Sequence, residues 1–78
     1  MTTVVFEDKG TNFPPITTVF KLRDDAEAFI VKSALEEQVH PMEKKVTSRA
    51  VRVSLKRSNV FSMTTADGSR YIWTLQSV

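Results

Sequence analysis

The chain has no cysteine and only two glycines, one histidine, one tryptophan and one tyrosine in 78 residues. Each scarcity excludes something. Without cysteine there is no disulfide, no thiolate nucleophile and no Cys-ligated zinc, and the composition fits a reducing compartment. Two glycines leave no loop that could cradle a phosphate with backbone N–H groups. Asp67-Gly68-Ser69 reads as a turn and lacks the Gly-x-Ser-x-Gly of a nucleophile elbow. Ser58, Ser62 and Ser69 have no base at a readable spacing. His40 has Glu36 and Glu37 one turn away, but a metal site needs three or more convergent ligands. It is therefore read as the solvated end of a helix. Glu7-Asp8 and Asp24-Asp25 are read as a turn and a helix cap. No enzyme activity, metal or cofactor is expected.

Long apolar runs are also missing. No stretch of eighteen apolar residues exists to form a spanning helix. Met1 to Asp8 lacks the basic start and apolar centre of a signal peptide, so the cytoplasm is the expected location. The length predicts a single domain, 1–78, near the lower limit for an unaided core.

What is present is a charge asymmetry. Residues 1–43 hold four Lys/Arg and eight Asp/Glu, whereas residues 44–78 hold seven Lys/Arg and one Asp. The basic set is Lys44, Lys45, Arg49, Arg52, Lys56, Arg57 and Arg70. Such a division points to a polyanionic or acidic partner, unless the two halves neutralise each other on folding.

Thr2 to Phe6 is β-branched and aromatic and predicts a strand. Glu7 to Gly10 predicts a turn with positive φ at Gly10. Pro14-Pro15 predicts an extended link. Ile16 to Leu22 alternates as a second strand. Asp24 with Glu27 three residues later has the spacing of a capping box, which opens a helix over Ala26 to Val39. Ala26, Phe29, Ile30 and Ala34 would cover the sheet, and Pro41 would end the element.

Val46 to Val78 reads as a three-stranded meander. A three-residue loop at Ala66-Asp67-Gly68, with Gly68 left-handed, places Met63 opposite Tyr71 and Phe61 opposite Trp73. A similar loop at Arg57-Ser58-Asn59 would pair Leu55 with Phe61 and Val53 with Met63. One face is then apolar throughout: Val51, Val53, Leu55, Phe61, Met63, Tyr71, Trp73 and Leu75. This register sends the aromatics into the core rather than into a base-stacking platform. It leaves Arg52, Thr64 and Arg70 in a row on the other face. The expected fold is α+β, in the order β-β-α-β-β-β, with one helix on an antiparallel sheet. A half-open barrel or a hairpin paired across a dimer would satisfy the same pattern, and the free sheet edges leave room for a homodimer.

The helix Asp24–Val39 between two strands and three, and the closing hairpin Met63 to Trp73, resemble in plan small phage- or prophage-encoded accessory proteins. The arrangement is similar to that of some type I anti-CRISPR proteins. That resemblance implies stoichiometric inhibition, with the small domain covering a functional surface of a larger host protein or ribonucleoprotein in the host cytoplasm. It implies no particular contact residue. From the charge map, the expected partner-binding residues are Lys45, Arg49, Arg52, Lys56, Arg57 and Arg70. The alternative is a direct nucleic-acid binder that places the same cations on phosphates.

Overall fold

The computed structural model describes residues 1–10, 13–37, 46–64 and 68–77. The elements are β1 (Thr2–Asp8), β2 (Ile16–Phe20), α1 (Arg23–Glu37), α2 (Ser48–Ser58), β3 (Val60–Thr64) and β4 (Arg70–Ser77). The four strands form one antiparallel sheet in the order β2-β1-β4-β3. The first and last strands lie side by side in the middle, and each carries an edge strand as its hairpin partner.

The fold is α+β with an antiparallel sheet, as expected, but one element changes type. Residues 48–58 are a helix, not the first strand of a meander. Val51 and Leu55, four apart, share the buried stripe of α2, and both are fully buried. Val53 lies between them on the outward side, 45% exposed. The strand reading needed Val53 inside with its two neighbours. The expected pairing of Leu55 with Phe61 and of Val53 with Met63 is thereby overturned, and so is the row of Arg52, Thr64 and Arg70.

Local chemistry explains the helix. Thr47 is extended at its start, and its Oγ1 accepts a hydrogen bond from the Ala50 N–H at 3.1 Å. Lys56 and Arg57 in the last turn meet the negative end of the helix dipole. Asn59 then turns left-handed, with φ 60°, and its N–H returns to the Leu55 carbonyl at 2.9 Å. The segment expected to be a hairpin loop is therefore a helix stop. From there the Asn59 carbonyl accepts from the Leu75 N–H at 2.7 Å, which starts β3 against β4.

The second half of the predicted meander stands. Phe61 pairs with Trp73 and Met63 with Tyr71. Gly68 is left-handed, with φ 90°, as a turn glycine should be, whereas Gly10 is not. Residues 65–67 of that loop lie outside the described residues. In the first hairpin Asp8, rather than a left-handed glycine, organises the turn. Its Oδ1 accepts from the Gly10 N–H at 2.9 Å, and the Lys9 N–H continues the ladder to the Arg70 carbonyl at 2.8 Å.

Both helices cover the same face of the sheet. α1 lies over β1 and β2, and α2 lies over β3 and against α1. The core between the layers combines Ala26, Ile30 and Ala34 of α1 and Val51 and Leu55 of α2 with Val4, Phe61, Met63, Trp73 and Leu75 of the sheet. Trp73, 1% exposed, is at its centre, with ring centroids of Phe6 at 5.1 Å, Phe61 at 5.9 Å and Tyr71 at 6.2 Å. The inward placement expected of the aromatics is correct. The opposite face, with Thr3, Val5, Val19, Val60, Ser62, Ile72 and Thr74, is covered by no described element.

α1 begins at Arg23, so Asp24 is in the first turn rather than at the N-cap. The Ala26 N–H bonds the Leu22 carbonyl at 3.3 Å. The expected capping box is not formed, and Glu27 goes elsewhere. The expected end of this helix (Val39, His40, Pro41) lies outside the described residues. Phe29, expected over the sheet, is 37% exposed and lies beside Phe20 with the rings tilted by 45°, centroid to centroid 5.2 Å.

Candidate interaction surface on the second helix

Four of the six expected contact residues fall on α2: Arg49, Arg52, Lys56 and Arg57. Within eleven residues the helix carries four cations and no carboxylate. Because Val51 and Leu55 fix the inward stripe, helical periodicity sets the direction of every other side chain. Arg49, Val53 and Arg57, spaced by four, form one outward row. Lys56 flanks it towards α1. Ala50, Ser54 and Ser58 form a second row of small residues beside it. Together with Thr47 the two rows line a shallow, open groove along the helix. The serines also close the structure locally. Ser54 Oγ donates to the Val60 carbonyl at 2.6 Å, and Ser58 Oγ donates to the Ser54 carbonyl at 3.1 Å.

Arg52 has a different task. It leans towards α1, where its guanidinium is 3.4 Å from Asp24 Oδ1 and 3.6 Å from Glu27 Oε1. Glu27, with its side chain 7% exposed, also accepts from Arg23 Nε at 3.0 Å. Arg23 extends further, donating to the Leu55 carbonyl at 3.0 Å and to Asn59 Oδ1 at 2.8 Å. One buried carboxylate is thus held between two arginines from different helices, and Arg23 ties the start of α1 to the end of α2. Part of the neutralisation between acidic and basic halves is therefore real, and it uses Arg52.

Arg49, Lys56 and Arg57 are exposed and form no ion pair within the described residues. They are the α2 cations that the described fold leaves exposed. Arg70 is exposed too, but on the uncovered face of the sheet, opposite Thr64 in the β3–β4 ladder and turned away from α2. It does not share a surface with the helix. Lys45 lies outside the described residues, as do Lys44 and His40.

Sequence reasoning assigned Arg52 and Lys56 to a strand and Arg57 to a hairpin loop, whereas all three, with Arg49, lie on α2. It missed the clasp, although the Arg23–Glu27 spacing of four was a readable signal. Among the described residues no three His, Asp or Glu side chains converge on a point that could hold a metal ion. No described helix is long and apolar enough to cross a membrane. No protein-family model, curated protein or solved structure matches the chain.

Proposed function

We propose that this chain is a non-enzymatic interaction protein that docks the outward face of α2 on an acidic surface of a larger protein or ribonucleoprotein. The observation that carries the reading is the unequal use of the four α2 cations. Arg52 is engaged internally, whereas Arg49, Lys56 and Arg57 stand exposed around Val53. An exposed valine ringed by cations that form no ion pair among the described residues suits a protein contact, where an apolar centre is desolvated and the rim is charged. The small row Ala50, Ser54 and Ser58 lets a partner backbone approach closely. The likeness to small phage inhibitors rested on one helix between two strands and three, whereas two helices stand here between two hairpins. The inhibitory, anti-CRISPR-like role is thus proposed on the basic helix.

The test is a triple variant, Arg49→Gln, Lys56→Gln and Arg57→Gln, compared with the parent protein. The variant should stay folded, with a melting temperature lowered by no more than about 10 °C, since the three side chains are exposed and the main loss is the helix-dipole contribution of Lys56 and Arg57. Capture of a protein partner from nuclease-treated host lysate should weaken by more than about ten-fold. If the parent instead binds DNA or RNA directly, with an affinity that falls steeply as salt rises, the cations act on phosphates and the protein-docking reading is wrong. Retention of the same partner by the triple variant would move the contact away from α2.

A further inference from the structure

Resting on the docking of α2 proposed above, we infer that the element it receives is an acidic α-helix of the partner. A ridge of small side chains on that helix lies in the groove of Ala50, Ser54 and Ser58, and its carboxylates meet Arg49 and Arg57. Arg52 leans towards α1 on one side of α2. The groove is on the other side, over β3, where Ser54 and Ser58 both reach the Val60 carbonyl. β3 is an edge strand, and no described element stands beyond it. A helix placed there extends the layer of α1 and α2 by one member.

Shape, hydrogen bonding and charge each narrow the occupant. Arg49, Val53 and Arg57 form a raised row, and Ala50, Ser54 and Ser58 form a low one beside it, both with a spacing of four. Rows of that spacing are the ridges and grooves by which helices most often pack, crossing at about −50°, and small residues at the contact bring the axes to about 8 Å. From Ala50 to Ser58 the groove runs about 12 Å, two turns of a partner helix. An extended segment suits it less. The lining residues all belong to α2 and its N-cap. A helix flank offers no ladder of free N–H and carbonyl groups, so a strand buried there would leave its own backbone unpaired, whereas a helix arrives with its backbone satisfied. The floor is also without free hydroxyl donors at its centre. Ser54 Oγ donates to the Val60 carbonyl at 2.6 Å and Ser58 Oγ to the Ser54 carbonyl at 3.1 Å, so neither has a proton left for a phosphate or carboxylate lying between them. Such a floor takes a small apolar side chain and leaves charge for the rim. The rim is basic, and its neighbours along the chain do not offset it, since residues 44–64 hold six Lys/Arg and no Asp/Glu. On a helix whose ridge follows the groove, carboxylates eight residues apart in the adjacent row meet Arg49 and Arg57 together.

Two short synthetic peptides of identical composition and net charge, each held helical by a side-chain staple, are titrated while the amide resonances of Ala50, Val53 and Ser54 are followed by NMR. In the first peptide, alanines at i, i+4 and i+8 form the ridge and glutamates fill the rows beside it. In the second, the same residues are spread round the helix. The first should shift the α2 resonances saturably and bind at least about five-fold more tightly than the second. Ala50→Leu, at an exposed helical position, fills the groove without changing charge. It should weaken the first peptide at least about five-fold and leave the second within about two-fold. The triple variant of Arg49, Lys56 and Arg57 should weaken both. Equal binding of the two peptides by the parent protein, no saturable shift on α2 with either, or an Ala50→Leu variant that holds the first peptide unchanged overturns the helix assignment. Each of these leaves the docking of α2 to be judged by capture of its partner, so the two can fail separately. A DNA duplex that binds more tightly than both peptides at equal ionic strength overturns both readings.

Discussion

Glu27 is the residue on which the two helices depend most directly. Its carboxylate sits between Arg23 and Arg52, and both arginines are more than one-third exposed. Among the described residues its Oε1 makes no hydrogen bond, and the Arg52 guanidinium lies 3.6 Å from it. A buried charge held by imperfect contacts adds little net stability, but removing one partner leaves the others uncompensated. Glu27→Ala should therefore cost about 1–3 kcal/mol in urea unfolding. Asp24→Ala, at the exposed end of the same network, should cost less than about 1 kcal/mol. A comparable loss from the two substitutions would show that the network is only a surface ion pair. From the sequence, Glu27 looked like the closing member of a capping box. The acidic first turn of a helix and a clasp across to a second helix look identical until the second helix is known to exist.

At the scale of elements, α2 is the informative case. Val51-Arg52-Val53-Ser54-Leu55-Lys56 alternates apolar and polar as a half-buried strand does, and its valines favour strands. The same letters place Val51 and Leu55 one helical turn apart. The position that distinguishes the readings is Val53. Val53→Ala should change stability by less than about 0.5 kcal/mol, because the side chain faces outward and alanine is the better helix former. Leu55→Ala should cost about 2–4 kcal/mol through the cavity left in the core. In a strand the two substitutions would hurt alike, so a urea titration of the pair checks the element itself. Thr47→Ala should cost about 1 kcal/mol through loss of the Oγ1 bond to Ala50. The helix signals were present in the sequence: Thr47 before the segment, two cations at its end and Asn59 after it. The expected meander instead used Asn59 as part of a hairpin loop, Arg57-Ser58-Asn59, because that register made one face apolar throughout.

At the scale of the molecule, the sheet order governs stability and folding. β1 and β4 are the central pair, with Val4 opposite Leu75 and Phe6 opposite Trp73, and both strands are flanked on each side. β2 is an edge with Ile16 and Val19 largely exposed. Amide hydrogen exchange followed by NMR should find the slowest amides in β1 and β4 and much faster ones in β2. Equal protection across the sheet would mean that the edge is covered, and the first suspect would be a second copy of the chain pairing along it. The central pair also joins residues almost a full chain length apart. Forming it requires closing a long loop before its contacts stabilise anything, so folding should be slow for a domain of this size.

The α+β class, the first hairpin, most of α1 and the β3–β4 register followed from local pattern. Strand alternation, turn glycine and helix periodicity act over a few residues and are written in the sequence. The inward placement of Phe61, Met63 and Trp73 followed from the same parity. Tertiary contact decided the rest. The segment around Val53 is a helix because Val51 and Leu55 find a core that α1 and β3 complete, and tertiary burial overrides a weak strand preference. That choice set the fate of each cation. Arg52 turns to Asp24 and Glu27, Arg70 faces the other side of the sheet, and Arg49, Lys56 and Arg57 are left exposed on one helix. Charge counts along the chain locate a basic half, but only packing determines which of its members are already engaged.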